Sequence, residues 1–233
     1  MAADKRKDAD KVKERQASYE HEREYGQERG CGQERGQEQE QEQEQEQEQE
    51  QEYNYERYAA MADDGNRYEV VEGRLELMAP APSPGHQSIG GELHYLLKGS
   101  CQSDYLIYLS PIDVILGSRD VRQPDLLMLH RSRSHIVTRR GIEGAPDLVA
   151  EILSPGSRNR DKVGKARTYA KYGVPEYWIV DPDALTLERY VLRGGRYELD
   201  EIFENDDQAT SDKLPCVAFK VSELFADMPD YTS

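Results

Sequence analysis

The stretch PDLVAEILSPGSRNRDKVGKARTYAKYGVPEYWIVDP, residues 146–182, decides the fold. Its first part is an apolar run bounded by Pro146 and Pro155, the pattern of a buried central strand. Its middle reads as a helix, with Ser157 as N-cap and Gly173 as C-cap. Its end, EYWIVDP, reads as a second buried strand. Strand, helix and strand in this order form a βαβ unit, so the two strands are expected to be parallel. One residue breaks the apolar logic: Glu151 stands among Ala150, Ile152 and Leu153. Just upstream, VRQPDLLMLH (residues 121–130) reads as another short strand and carries Asp125 at its entrance.

A buried carboxylate without a partner is costly. Two of them on neighbouring strands repel unless a cation lies between. Mg²⁺ or Mn²⁺ suits that place, because hard cations take oxygen ligands and Mg²⁺ needs only one or two protein carboxylates. The following helix offers Lys165, four residues after Asp161 and on one helical face with Tyr169. A lysine there can orient a metal-bound water, assist its deprotonation or stabilise charge on a phosphoryl oxygen.

The rest of the chain supplies the frame. YNYERYAAMAD reads as a short helix stopped by Asp63, Asp64 and Gly65. RYEVVEGRLELMAP reads as a hairpin turning at Glu72-Gly73. HQSIGGELHYLLKG places Ile89, Leu93, Leu96 and Leu97 at helical spacing and closes at Gly99. DYLIYLSPIDVILG is strand-like and interrupted at Pro111. RSRSHIVTRRGIEG is a polar connection. LTLERYVLRGGRYELDEIF reads as a hairpin turning at Gly194-Gly195. CVAFKV reads as a short strand and SELFADM as a terminal helix. The predicted class is α/β, a central mixed sheet flanked by helices.

Residues 1–52 differ in kind. They end in a Gln-Glu repeat, offer no apolar stripe and read as a disordered acidic tail. The ordered domain is expected over 53–233. The chain of 233 residues carries a net charge of −16, which argues against a non-specific nucleic-acid binder. The tail holds 9 basic and 17 acidic residues, whereas residues 117–172 hold 12 basic and 6 acidic ones. That basic island surrounds both odd carboxylates. No apolar run is long enough for a bilayer, and the N-terminus lacks a secretory h-region. Cys31, Cys101 and Cys216 form no CxxC pair and read as reduced thiols of a cytoplasmic protein.

With these residues in hand, the chain resembles a known family. The combination of PD, EILSP, RDKVGK and YAKYGVPEYWIVDP is similar to the Uma-two family of restriction endonucleases, a branch of the PD-(D/E)XK nuclease superfamily. YEVVEGRLELMAPAPSPGHQ matches its upstream half. The resemblance covers about residues 53–200 and implies a restriction-endonuclease-like core that cleaves DNA with Mg²⁺ or Mn²⁺. It assigns Asp125 and Glu151 as metal ligands, with the backbone carbonyl of Ile152. The superfamily lysine belongs at position 153, which is leucine here. Lys165 on the next helix is the first candidate for its role and Lys162 the second. His86 matches the family histidine, as an accessory to substrate or metal-bound water. Glu69 and Glu76 read as strand-surface glutamates, with a third acidic ligand as the alternative. Arg158, Arg160, Arg131 and Arg133 are candidates for phosphate contacts, and a homodimer would supply two sites for a double-strand cut. Two other functions compete. One is an inactive nuclease-fold protein that binds or assembles. The other is metal-dependent hydrolysis of a small phosphate ester.

Overall fold

The computed structural model describes residues 52–154 and 160–229. The tail reading lies outside these residues apart from Glu52, as do Ser157 and Arg158. The elements of the unit Tyr53–Ser233 are α1 (Tyr55–Ala59), β1 (Tyr68–Val71), β2 (Arg74–Leu77), α2 (Pro84–Cys101), β3 (Tyr105–Leu109), β4 (Val114–Gly117), β5 (Asp120–Arg122) and β6 (Leu126–His130). They continue with β7 (Leu148–Ile152), α3 (Ala166–Lys171), β8 (Glu176–Asp181), β9 (Thr186–Arg193), β10 (Arg196–Glu204), β11 (Gln208–Thr210) and β12 (Ala218–Lys220).

Six strands form the main sheet, in the order β10-β9-β8-β7-β6-β3. Strands β7 and β8 pair in parallel, and every other neighbouring pair is antiparallel. The βαβ expectation therefore holds. Both central strands are buried along their whole length, as strands covered on two faces must be. Period-two alternation sorts their side chains. Leu148, Ala150, Ile152, Trp178 and Val180 join α2 in one core layer. Val149, Leu153, Tyr177 and Ile179 join Tyr169 and Val174 in the other. Glu151 shares the parity of Val149 and Leu153, so its carboxylate points into the layer that holds α3.

A smaller sheet, β2-β1-β5-β4, lies in the same unit. Its hairpin turns at Glu72 (φ 50°) and Gly73 (φ 83°), the two consecutive positive φ angles that a tight hairpin requires. Asp120 at the start of β5 fastens this sheet to α3. It accepts hydrogen bonds from Lys171 Nζ (2.8 Å), Tyr172 Oη (2.7 Å) and the Glu72 amide (2.9 Å). Strand β5 has only three residues, too few for a periodic signal, and the single strand expected over 121–130 is in fact two, β5 and β6, in different sheets.

Three other expectations change. The helix expected from Ser157 to Gly173 is a π-helical turn, Arg160–Lys165, leading into α3; Gly173 takes the left-handed conformation after it (φ 77°). Helix α2 begins earlier, at Pro84, where Ser83 Oγ accepts from the His86 amide, and runs past Gly99 to Cys101. Packing of Ile89, Leu93 and Leu97 outweighs the low helical propensity of its glycines. The reduced-thiol expectation is overturned for two cysteines. Cys101 and Cys216 form a disulfide across 115 residues of sequence. No local spacing announces a bond of that range, because only folding brings α2 beside the segment before β12.

Two measurements follow from this frame. In denatured, unreduced protein a thiol reagent should label one cysteine per chain, rising to three after reduction; three without reduction would refute the bond. Reduction should cost about 2–4 kcal/mol of stability, the usual worth of a native disulfide. Asp120 gives a pH-dependent case. Burial alone would raise its pKa, but the hydrogen bonds from Lys171 and Tyr172 outweigh it and hold it below the ordinary value. Its stabilisation is therefore present above the unfolded carboxylate range and lost as pH falls through the lowered folded value. Asp120→Asn should cost about 1–2 kcal/mol near neutrality, since Lys171 is half exposed and its charge is screened. In denaturant titrations that gap should close as the pH falls below the ordinary aspartate pKa.

Candidate active site

The pairing register builds the site. Leu126 lies opposite Ala150 and Leu127 opposite Val149. One residue further, the same register sets Asp125 opposite Glu151, on the same face of the sheet. The Ile152 amide donates to Asp125 Oδ2 at 2.8 Å, and His86 Nε2 in the first turns of α2 lies 3.1 Å from the same oxygen. Glu151, 1% exposed, accepts from Lys165 Nζ at 2.8 Å and from Tyr169 Oη at 3.1 Å. Lys165 and Tyr169 are four residues apart across the junction of the π turn and α3, so both reach Glu151 from one side. The Lys165 ammonium also lies 3.6 Å from Asp161 and 3.8 Å from Glu69.

Behind this cluster stands a second buried pair. Arg122 Nη1 donates to Glu69 Oε2 at 3.1 Å, Arg122 Nη2 donates to Thr168 Oγ1 at 2.7 Å, and the Gln123 amide donates to Glu69 Oε1 at 2.8 Å. Glu69 on β1, Arg122 on β5 and Thr168 on α3 thereby tie the small sheet to the helix that carries the site.

The electrostatics follow from burial and charge count. Burial drives the Glu151 carboxyl well above its ordinary range; Lys165 opposes the shift, and Asp125 and Asp161 add to it. Burial works against the Lys165 ammonium, yet Glu151, Glu69 and Asp161 outweigh it and raise the pKa, so the amine stays protonated. Asp125 is partly open to solvent. Burial raises it, but the His86 hydrogen bond wins and lowers it. His86 shifts upward for the reciprocal reason, against its own burial. Four carboxylates (Glu69, Asp125, Glu151, Asp161) thus face three permanent cations, Lys165, Arg122 and, at the cleft wall, Arg67, a formal charge of −1 before His86 is counted.

Asp125, Glu151, Ile152, Lys165, Asp161 and His86 line one cleft of about 230 Å³. The cleft thus gathers Asp125, Glu151, Ile152, Lys165 and His86 from the sequence-derived set. Other members of that set lie elsewhere. Lys162 is locked to Glu188 at 2.6 Å and faces away. Glu76 is half exposed, 3.9 Å from Arg122. Arg131 binds the Gln102 carbonyl and Arg133 binds Asp147 and the Ala145 carbonyl. Both follow the far end of β6, a strand length of about 16 Å from Asp125. The backbone of Arg160 opens the π turn.

The sequence reading undervalues one residue and misses two. Glu69 reads as strand surface with a third acidic ligand as the alternative, and the structure buries it beneath Lys165. Asp161 was used only as a spacing mark. Arg67, at the cleft wall, donates to Gln123 Oε1 at 2.6 Å and Ser110 Oγ at 3.2 Å; an isolated arginine before a strand gives no sequence signal. Burial of a carboxylate does not by itself make a site. Glu176 is equally buried, but neutral donors, Ser211 Oγ and Trp178 Nε1, satisfy it.

The donor set suits a hard divalent cation. Among the described residues no three Asp, Glu, His or Cys side chains converge into a closed metal cage. A site of two carboxylates, a main-chain oxygen and water meets the modest demand of Mg²⁺ for protein ligands.

Residues 53–222 match the Uma2 family, described as "Putative restriction endonuclease". Among solved structures, the chain is similar to the "Crystal structure of a putative nuclease belonging to DUF820 from Anabaena variabilis ATCC 29413", with a TM-score of 0.61 and 21% identity, covering 74% of this chain and 97% of that one. At that identity the likeness concerns the fold. No curated protein matches the chain.

The ion cluster makes a stability prediction. Lys165→Met should cost about 3–5 kcal/mol, because it strands buried carboxylates without their cation. Adding Glu151→Gln should return part of that loss. A double-variant cost equal to the sum of the two single-variant costs in a double-mutant cycle would show that the pair is not coupled.

Proposed function

This chain belongs to the Uma2 family, and on that premise we propose that it is a metal-dependent endonuclease that hydrolyses phosphodiester bonds in DNA. The observation that carries the reading is the convergence of Asp125, Glu151 and Lys165 on one cleft, where Asp125 faces Glu151 across two strands. Asp125, Glu151 and the Ile152 carbonyl would hold Mg²⁺ or Mn²⁺. A bound ion supplies a polarised phosphate and an acidified water.

The residues of the chain divide the remaining work. Lys165 is protonated at working pH, so it acts as a fixed positive charge that stabilises negative charge developing on the phosphoryl oxygens. It does not act as a general base. Tyr169 fixes the orientation of Glu151 by holding Oε1. His86 does the same for Asp125 through Oδ2. Arg67 at the cleft wall is placed to meet a backbone phosphate. Double-strand cleavage calls for two such clefts, hence a homodimer. Among the described residues no helix is long and apolar enough to cross a membrane.

Calorimetric titration of Mn²⁺ into the full chain, beside Asp125→Ala and Glu151→Ala, tests the site. Binding in the wild type should disappear in both variants. Nicking of supercoiled DNA in Mn²⁺ should fall by roughly two orders of magnitude or more in Lys165→Ala, the scale on which preorganised charge contributes. Metal binding that survives both carboxylate changes would sink the assignment. A folded wild type that neither binds Mn²⁺ nor nicks DNA at millimolar metal would favour an inactive binding protein.

A further inference from the structure

We infer that a second cavity, on the side of α3 away from the cleft, binds a nucleotide: a planar base against a wall of tyrosine rings, with its phosphate on an arginine rim. The cavity measures about 440 Å³ and lies between α3 and the β9–β10 turn, within the usual size range of small-molecule sites.

Its wall is aromatic. Tyr177, Tyr190 and Tyr197 line it. Tyr177 packs against Tyr190 and Tyr197, at centroid distances of 6.4 and 5.5 Å. All three hydroxyls are engaged inside the protein: Tyr177 donates to the Asp161 carbonyl at 2.9 Å, Tyr190 to Glu188 at 2.6 Å and Tyr197 to the Val174 carbonyl at 2.8 Å. Tyr177 is buried behind the other two, so the half-buried rings of Tyr190 and Tyr197 are what the wall offers a ligand, and stacking on aromatic side chains is the general way proteins hold bases.

Its rim is cationic. Lys162, Arg167, Lys171 and Arg196 line the cavity, and no Asp or Glu does. Two of the four are already paired, Lys162 with Glu188 and Lys171 with Asp120. Arg196 is largely exposed and, among the described residues, its one ion pair is with Glu198, at 3.5 Å. Arg167 has no ion-pair partner among the described residues. The available charge therefore sits on two guanidinium groups, which bind phosphate oxygens in a forked geometry. A cationic ligand is repelled, and an aliphatic anion leaves the aromatic wall unused. A base carrying a phosphate uses both.

The nucleotide has two sources, a free mononucleotide or one unit of a strand. The inference does not rest on phosphodiester cleavage, so its test runs in EDTA. Deoxyadenosine monophosphate, adenosine and inorganic phosphate are titrated calorimetrically into the full chain. The mononucleotide should saturate at submillimolar to millimolar concentration, with adenosine and phosphate each weaker by about tenfold or more. Arg167→Glu should weaken it by about tenfold or more. Ala170→Phe, which fills the cavity from α3, should abolish binding while the circular dichroism spectrum stays native. A 5′-phosphorylated dodecamer that binds about tenfold tighter than the mononucleotide identifies a strand as the source; equal or weaker binding identifies the free nucleotide. No saturation by the mononucleotide in folded wild type overturns the inference. So does equal affinity for inorganic phosphate, or binding unchanged in both variants.

Discussion

Glu151 lies in the middle of a fully buried strand, and the rest of the architecture is arranged to tolerate it. An isolated carboxylate at that position would stay protonated. Lys165 supplies the counter-charge, and Lys165 in turn is kept charged by Asp161 and Glu69. Glu69 is then secured by Arg122, and Arg122 is tied to Thr168. The chain of partners runs from the main sheet to the helix, on to the small sheet, and back to the helix. Each link is buried, so each is intolerant of losing its neighbour.

Replacing such a cluster with well-packed aliphatic residues is often neutral or stabilising. The cluster is therefore poorly explained as a device for stability. It is well explained as a site. The small sheet, which gives the main core Val114 and Leu116, gains a further purpose in the same way. Its strands β1 and β5 deliver Glu69 and Arg122 beneath the lysine, and Asp120 clamps the sheet to the end of α3. The π turn before α3 is a departure from regular helix of the kind found at functional positions, and here it carries Asp161 and Lys165 to one side and Lys162 to the other.

That division gives α3 and its preceding turn two unlike surroundings. On one side is a cleft where Asp125, Glu151 and Asp161 gather around Lys165. On the other is a tyrosine-walled cavity rimmed by cations and free of carboxylates. The overall charge of −16 describes neither. The wall and the cleft also share a hydrogen bond, from Tyr177 to the carbonyl of Asp161, so the two environments are built on the same few residues.

The sequence by itself determined the βαβ unit, the two hairpins with their paired turn residues, and the oddity of Asp125 and Glu151. These signals are local: apolar period, turn chemistry and a carboxylate among aliphatic residues can be read within ten or fifteen positions. It also put Lys165 and Tyr169 on one face, because four residues make about one helical turn. Tertiary structure alone decided the rest. Glu69 and Glu76 are indistinguishable in a short hairpin, and only the docking of β1 against β5 and α3 buries the first and leaves the second in water. Arg131 and Arg133 share the basic island with Arg122, but strand direction carries them to the far end of β6. Cys101 and Cys216 show no motif because their pairing spans 115 residues. Local pattern specifies which face a side chain takes; which partner waits on that face depends on strands and helices that are distant in sequence.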